Sequence, residues 1–257
     1  MISNLASIHP KAQIGSNVAI DPFATVQGDV VIEDGCWVGS NAMILDGSRI
    51  GKNSKIFQGA IVGGIPQDLK FKGEKSLAEI GEYAIIREYA TINRGTTDKM
   101  TTKVGNHSMI MAYSHIAHDS FIGNHVIIAS YVGITGHITV EDHAIIEGLS
   151  GAQQFVTIGA HTFVAGFSQI RKSVPPFIRV AREPLQFIGV NIVGLTRRGF
   201  SKESIKNIED IYRVIFVRGF NMTKALDVVE GECPDSEEKT TIVDFIRREK
   251  DGIVKGI

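Results

Sequence analysis

Residues 104–134 read VGNHSMIMAYSHIAHDSFIGNHVIIASYVGI, and within them Val104, Ile110, Ile116, Ile122, Ile128 and Ile134 stand six apart. The step continues backward through Ile92, Ile86 and Ile80 and, earlier, through Val62, Ile56, Ile50, Ile44, Val38, Ile32, Val26, Ile20, Ile14 and Ile8. Forward, it runs through Val140, Ile146, Ala152, Ile158, Val164 and Ile170. Neither the helical period nor strand alternation alone explains a strict six. A parallel β-helix of six-residue rungs does, with three rungs closing one triangular coil.

In such a coil the sixth residue points inward, and stiff β-branched Val and Ile suit a pleated interior. The remaining positions are expected to be small or polar and to face water. Glycine often follows the aliphatic residue, as at Gly39, Gly51, Gly105 and Gly123. A tight corner there tolerates no bulk or needs an unusual dihedral. Helices of this repeat class are left-handed, against the usual crossover rule, although spacing by itself does not carry the hand.

The expected architecture is an all-β solenoid plus α: a left-handed parallel β-helix over residues 1–183 and a C-terminal α-helical domain over 184–257. The period fails between Val62 and Ile80 and between Ile92 and Val104, which predicts loops at 63–79 and 93–103 thrown out of the coil. Irregular loops on a rigid scaffold are where function concentrates. The rungs stop at Val174-Pro175-Pro176, and from Ser201 the spacing becomes helical. Ser201 can cap a helix whose apolar face is Ile205, Ile208, Ile211, Tyr212, Ile215 and Phe216, with Gly219 and Asn221 as a stop. Shorter helices are expected over 223–229 and 236–247, packed on the end of the prism so as to protect its open strand edge.

The 257 residues carry a formal net charge of −1, which excludes a nucleic-acid binder by bulk electrostatics. Neither a cleavable signal nor a long apolar run is evident, so no membrane insertion and a cytoplasmic location are expected. Cys36 and Cys233 lie far apart without metal-ligand spacing and read as free thiols.

If a coil takes about eighteen residues, positions eighteen apart sit above one another. His118, Gly136 and Gln154 then share one column, and Asp119 and His137 the next. Histidine suits general-base work near neutral pH. A glycine beside it leaves room for a substrate and exposes an amide that can receive an oxyanion. In an ideal strand Asp119 points to the opposite face from His118. His118 therefore reads either as a base or as a hydrogen-bonded surface histidine. A second column, His107, His125, His143 and His161, is expected to splay into water at a corner, and no bound metal is expected of it.

Several segments together resemble the acyl carrier protein–UDP-N-acetylglucosamine O-acyltransferase family that begins lipid A synthesis. They are His115-Ile116-Ala117-His118-Asp119, Gly136-His137, Gln67-Asp68-Leu69-Lys70, Gln154-Phe155, the Val174-Pro175-Pro176 break and the run from Gly194 to Phe200. The resemblance covers essentially the whole chain. It implies transfer of a 3-hydroxyacyl group from the acyl-phosphopantetheine of acyl carrier protein to the 3-position of UDP-N-acetylglucosamine, with no bound cofactor. It implies that His118 is the base, Asp119 its partner and Gly136 the oxyanion donor. By the same resemblance, Gln67, Asp68, Lys70, His115, His137, Gln154, Asn191, Arg197 and Arg198 contact substrate, and Gly166 lies near the end of the acyl channel.

It also implies a homotrimer with sites between neighbouring prisms. Arg171, Lys172, Arg179, Arg213, Arg218, Arg247 and Arg248 could then steer an acidic carrier. The chain departs from many relatives at Val193, Gln153 and Arg182-Glu183-Pro184-Leu185, which bears on nucleotide contacts and donor preference. The competing readings are a hexapeptide acyltransferase with a 3-amino acceptor or a coenzyme A donor, a prism-shaped metalloenzyme, and a non-catalytic scaffold.

Overall fold

The computed structural model describes residues 1–256. Among the described residues, three sheets of nine, eight and ten strands, parallel except for the final strand of the ten-stranded one, form the faces of a triangular left-handed prism. Most strands are two residues long, as at Thr25–Val26 and Phe121–Ile122, because the chain turns a corner after each. Stacked positions are 18 residues apart, as with Asn106 and Asn124. The two interruptions lengthen their coils: Ser54 and Ala84 stack at 30 residues, and Thr91 and His115 at 24.

The sixth-position residues fill the core, with Ile44, Ile86, Ile116 and Ile134 fully buried. The position two earlier is buried as well, at Ala24, Ala42, Ala60, Ser108 and Ser114, which corrects the expectation that the other positions face water. Strand alternation turns both residues inward, and the earlier position takes Val or Ile in other coils, as at Val126, Val132 and Ile138. The buried serines meet their own polar requirement: Ser108 Oγ donates to Gly123 O at 2.7 Å and Ser114 Oγ to Ala129 O at 2.7 Å. The glycine after the aliphatic residue serves close approach. A Cβ on Gly105 would stand 2.5 Å from the Gly123 carbonyl carbon. The left-handed dihedral falls two residues later, on residues such as Asn41, His107 and Asp119.

Each prism edge therefore carries a column of left-handed residues. The first edge, from the nine-stranded to the eight-stranded sheet, has Asp119, His137 and Phe155. The second edge has His107, His125, His143 and His161, and the third has Tyr89, Tyr113, Tyr131, Leu149 and Phe167. The second-edge histidines stack on one another rather than splaying, with His107 and His125 exposed as expected and His143 and His161 half-buried. They stack flat from Tyr83 through to Phe177, with successive histidine rings 4.8–4.9 Å apart. Identical backbone conformations one coil apart put each ring over the next. Burial first, then the neighbouring His143 and Arg198 charges, lower the His161 pKa to about 4.

Both loops leave the first edge. Their flanking strands, Ile61–Gly64 with Leu77–Ile80 and Thr91–Asn93 with Thr101–Val104, run further into the interruptions than the lost period suggests. At the other end Ile178–Ala181 adds the last parallel strand, and Gln186–Val190 pairs with it antiparallel. The expected boundary between 183 and 184 falls in the turn of this hairpin.

Four helices follow: α1 (Ile192–Arg197), α2 (Lys202–Phe216), α3 (Met222–Glu232) and α4 (Glu237–Arg248). Ser201 caps α2 as expected, accepting from Ser204 N, whereas Asn221 caps α3 and is not a stop. Ile205, Ile208, Ile211 and Tyr212 bury the face of α2. Tyr212 Oη donates to Pro176 O at 2.6 Å and ties the helices to the last coil.

Candidate active site

His118 follows the strand His115–Ile116 at the first edge, where it is 5% exposed. Its Nδ1 lies 2.8 Å from Asp119 Oδ2. The left-handed dihedral of Asp119, φ +58°, brings its carboxylate back beside the ring of its neighbour. Strand geometry alone would separate the two.

Asp119 is fully buried and receives four hydrogen bonds. Oδ1 accepts from Thr96 N at 2.9 Å and Lys99 N at 3.2 Å, and Oδ2 from Thr96 Oγ1 at 2.6 Å and His118 Nδ1. Its own N–H donates to Thr102 Oγ1 at 2.9 Å. Burial alone would raise the carboxyl pKa, but the bonds from Thr96, His118 and Lys99 outweigh it and hold it below the usual value. An ionised carboxylate offers about four lone-pair sites, and all are filled here. His118, Asp119 and His137 also bring possible metal-ligand atoms within 4.8 Å of one another. A cation there would have to displace one of Asp119's donors.

With Nδ1 donating to a carboxylate, His118 Nε2 is left as a proton acceptor. The ring lies flat against Gly136, as the column arithmetic predicts: a Cβ on that glycine would stand 2.7 Å from His118 Cε1, 2.9 Å from Nε2 and 3.2 Å from Nδ1. Any side chain there would strike the ring. The Gly136 N–H donates to no backbone group among the described residues.

His137, one coil further, meets the His118 ring edge-on at 5.1 Å and stacks on Phe155 at 4.7 Å. Its Nδ1 lies 3.0 Å from Asp98 Oδ2 and its Nε2 4.0 Å from Asp119 Oδ2. His115 Nδ1 pairs with Thr91 Oγ1 at 2.7 Å. Burial, and then the nearby His118, lower the His115 pKa. Gln154 stands exposed in the His118 column. Gln67 and Lys70 are exposed on the first loop at the same edge, with Asp68 Oδ1 accepting from Lys70 N at 2.9 Å.

The other expected residues lie elsewhere on the chain. Asn191 caps α1 and donates from Nδ2 to His161 O at 2.9 Å, and Arg198 donates to His143 O at 2.9 Å, both at the second edge. Burial lowers the pKa of Arg198. Arg197 ends α1 and is exposed. Gly166 sits at the third edge, near Gly148 O. One chain thus gathers the first-edge set and leaves these four apart.

The basic residues expected to steer a carrier are mostly engaged. Arg171 pairs with Glu183, Arg213 with Asp210, Arg218 with Glu232, Arg247 with Glu230 and Arg248 with Glu141, while Lys172 reaches Asp251 O. Sequence reading missed Thr96, Thr102 and Asp98. The interruption marks their loop, but nothing in its spacing says that it folds back over Asp119.

The family model described as "Udp N-acetylglucosamine O-acyltransferase; Domain 2" matches residues 174–254. The bacterial transferase hexapeptide model matches 29–64 and 101–136. An acyl-[acyl-carrier-protein]–UDP-N-acetylglucosamine O-acyltransferase from Sulfurihydrogenibium is 55% identical over 194 residues, covering 75% of this chain and 72% of that protein. The solved structure of a UDP-N-acetylglucosamine acyltransferase from Bacteroides fragilis superposes with a TM-score of 0.98 at 49% identity, covering 99% of this chain and 100% of the other. That of the Francisella novicida UDP-N-acetylglucosamine acyltransferase gives 0.96 at 37% identity, with 99% and 94% covered. The hexad prism, its first-edge histidine site and these likenesses together make the chain a member of the acyl-[acyl-carrier-protein]–UDP-N-acetylglucosamine O-acyltransferase family.

Proposed function

We propose that this chain transfers a 3-hydroxyacyl group from the phosphopantetheine thioester of acyl carrier protein to the 3-hydroxyl of UDP-N-acetylglucosamine, the opening acylation of lipid A synthesis. The observation that carries the reading is the His118 ring, held through Nδ1 by Asp119 at 2.8 Å with its face against Gly136. His118 Nε2 takes the proton of the sugar hydroxyl as its oxygen attacks the thioester carbon. Asp119 stabilises the imidazolium that forms. The Gly136 N–H donates to the developing oxyanion, a contribution of about 3–4 kcal/mol when such donors are removed elsewhere. Collapse breaks the carbon–sulfur bond, and the departing thiolate takes the proton from His118. A thioester already has a good leaving group, so neither an acyl-enzyme nor a bound cofactor is required.

Gln67, Asp68, Lys70, His115, His137 and Gln154 line the same edge and are assigned to the sugar nucleotide and the acyl carbonyl region. Asn191, Arg198 and Gly166 belong to the other two edges, and Arg197 lies exposed at the end of α1 beside Arg198. They reach a first-edge site only across an interface, which supports a homotrimer with each site shared between neighbouring prisms. No helix of the described residues is long and apolar enough to cross a membrane. The reading carries a cytoplasmic location with it, since both proposed substrates dissolve in water.

Purified chain incubated with radiolabelled 3-hydroxyacyl carrier protein tests the activity. Label should move to UDP-N-acetylglucosamine, and failure with every chain length offered would count against the assignment. Light scattering of the same sample should give three times the chain mass.

A further inference from the structure

The second loop leaves the first edge one coil before His118, in the coil that takes 24 residues instead of 18. Its course explains why Asp119 is fully buried while Phe155, in the same left-handed column, is 64% exposed. Thr96, itself buried, approaches Asp119 with two donors. Its N–H reaches Oδ1 at 2.9 Å, and its hydroxyl reaches Oδ2 at 2.6 Å, the same oxygen that receives His118 Nδ1. Donors on both oxygens stop rotation of the carboxylate, and a fixed carboxylate fixes the ring.

We propose that Thr96 is a positioning residue which, through Asp119, holds the His118 ring against Gly136 with Nδ1 protonated and Nε2 free to accept a proton. The inference rests on His118 being the base. A hydroxyl on Oδ2 also draws charge from that oxygen, so its loss leaves more charge for an imidazolium to meet. His118 should then hold its proton to higher pH. The other titratable groups facing the pair are His137 with Asp98 behind it, His115 on the preceding strand, and Lys99, whose Nζ lies over Phe121. Of these, Asp98 touches the hydroxyl, its N–H donating to Thr96 Oγ1 at 3.4 Å, so a shift that a serine at this position reverses reports the hydroxyl.

The test compares wild type, Thr96→Val and Thr96→Ser in two ways. One is acyl transfer from 3-hydroxyacyl carrier protein to UDP-N-acetylglucosamine across pH. The other is the His118 ring titration by 13C NMR, assigned with His118→Gln. Thr96→Val should lower kcat about ten- to a hundredfold, keep KM for the sugar nucleotide within about threefold, and raise the His118 midpoint by about half a pH unit or more. Thr96→Ser should recover most of both. Wild-type rate and midpoint in Thr96→Val would overturn the inference. So would a lost rate with an unmoved midpoint, or a serine variant no better than valine. Thr96→Ala, which keeps the backbone donor, is read in the same way if the valine variant does not fold. Should wild type itself make no product, the proposed function fails, while the NMR midpoint still decides whether Thr96 acts on His118.

Discussion

His118 and Asp119 are adjacent in sequence, yet Nδ1 of one lies 2.8 Å from Oδ2 of the other, because Asp119 takes a left-handed backbone. All four hydrogen bonds onto the carboxylate come from donors. An amide in its place has one acceptor oxygen and would turn its own N–H toward at least one of them. Asp119→Asn should therefore favour the wrong His118 tautomer, with a fall in kcat of about 10²- to 10⁴-fold. Steady-state kinetics beside circular dichroism checks this. A variant retaining near-normal kcat would show that the contact does not set the tautomer.

Gly136→Ala tests the close approach directly. The new Cβ would stand 2.7 Å from His118 Cε1, so the ring must rotate or the coil must shift. Rotation of one ring is an easier response than a shift of the hydrogen-bonded coil, and the fold should survive. The expected result is a loss of kcat of about a hundredfold or more with a small change in melting temperature. Full activity in this variant would mean that the ring faces elsewhere during turnover.

The second-edge histidine stack predicts a response to acid. His161 has a folded pKa of about 4, below the ordinary 6.5, and His143 is shifted the same way. The unfolded chain takes up protons that the folded one declines. Stability is thus greatest above about pH 6.5 and falls as pH drops toward about 4. Asp119, whose carboxyl pKa is depressed, adds a further loss at lower pH, as the pH falls through its folded value. His161→Phe removes the titrating group and its unpartnered buried Nδ1 while keeping the stack onto Phe177. Denaturation midpoints measured between about pH 7 and about pH 4 should decline less steeply in the variant. Equal slopes would contradict the assignment.

Tyr212→Phe removes the hydroxyl that bonds Pro176 O at 2.6 Å and leaves that carbonyl without this donor. The cost should be about 1–3 kcal/mol, read as a lower denaturant midpoint. It should act on the helical cover and the last coil, with acyl transfer at the first edge little changed at moderate temperature.

Much of the prism can be read from spacing, because every coil repeats one inward residue and the register follows by arithmetic. The His118–Gly136 column is legible for the same reason. The second inward position was not anticipated, since it is filled by Ala, Ser and Val in turn and shows no single residue type along the chain. The hairpin of Ile178–Ala181 and Gln186–Val190 is hidden by its short length and by Pro184 beside it. The histidine stack at His107, His125, His143 and His161 departs from the expectation of splayed side chains, because left-handed residues one coil apart superpose their rings, although His107 and His125 stay exposed. Thr96 and Asp98 are invisible to periodicity, since their loop is the place where the period stops. Arg198 and Asn191 have local structural partners that no motif reveals, His143 O and His161 O.

The central claim is that the first edge carries out acyl transfer with His118 as base. The most direct measurement is mass spectrometry of the products formed from UDP-N-acetylglucosamine and a panel of 3-hydroxyacyl carrier proteins, with wild type and His118→Ala side by side. Wild type should yield the sugar nucleotide bearing one ester-linked hydroxyacyl chain, and His118→Ala should be slower by about 10²- to 10⁴-fold at unchanged fold. An unimpaired His118→Ala enzyme would contradict the account.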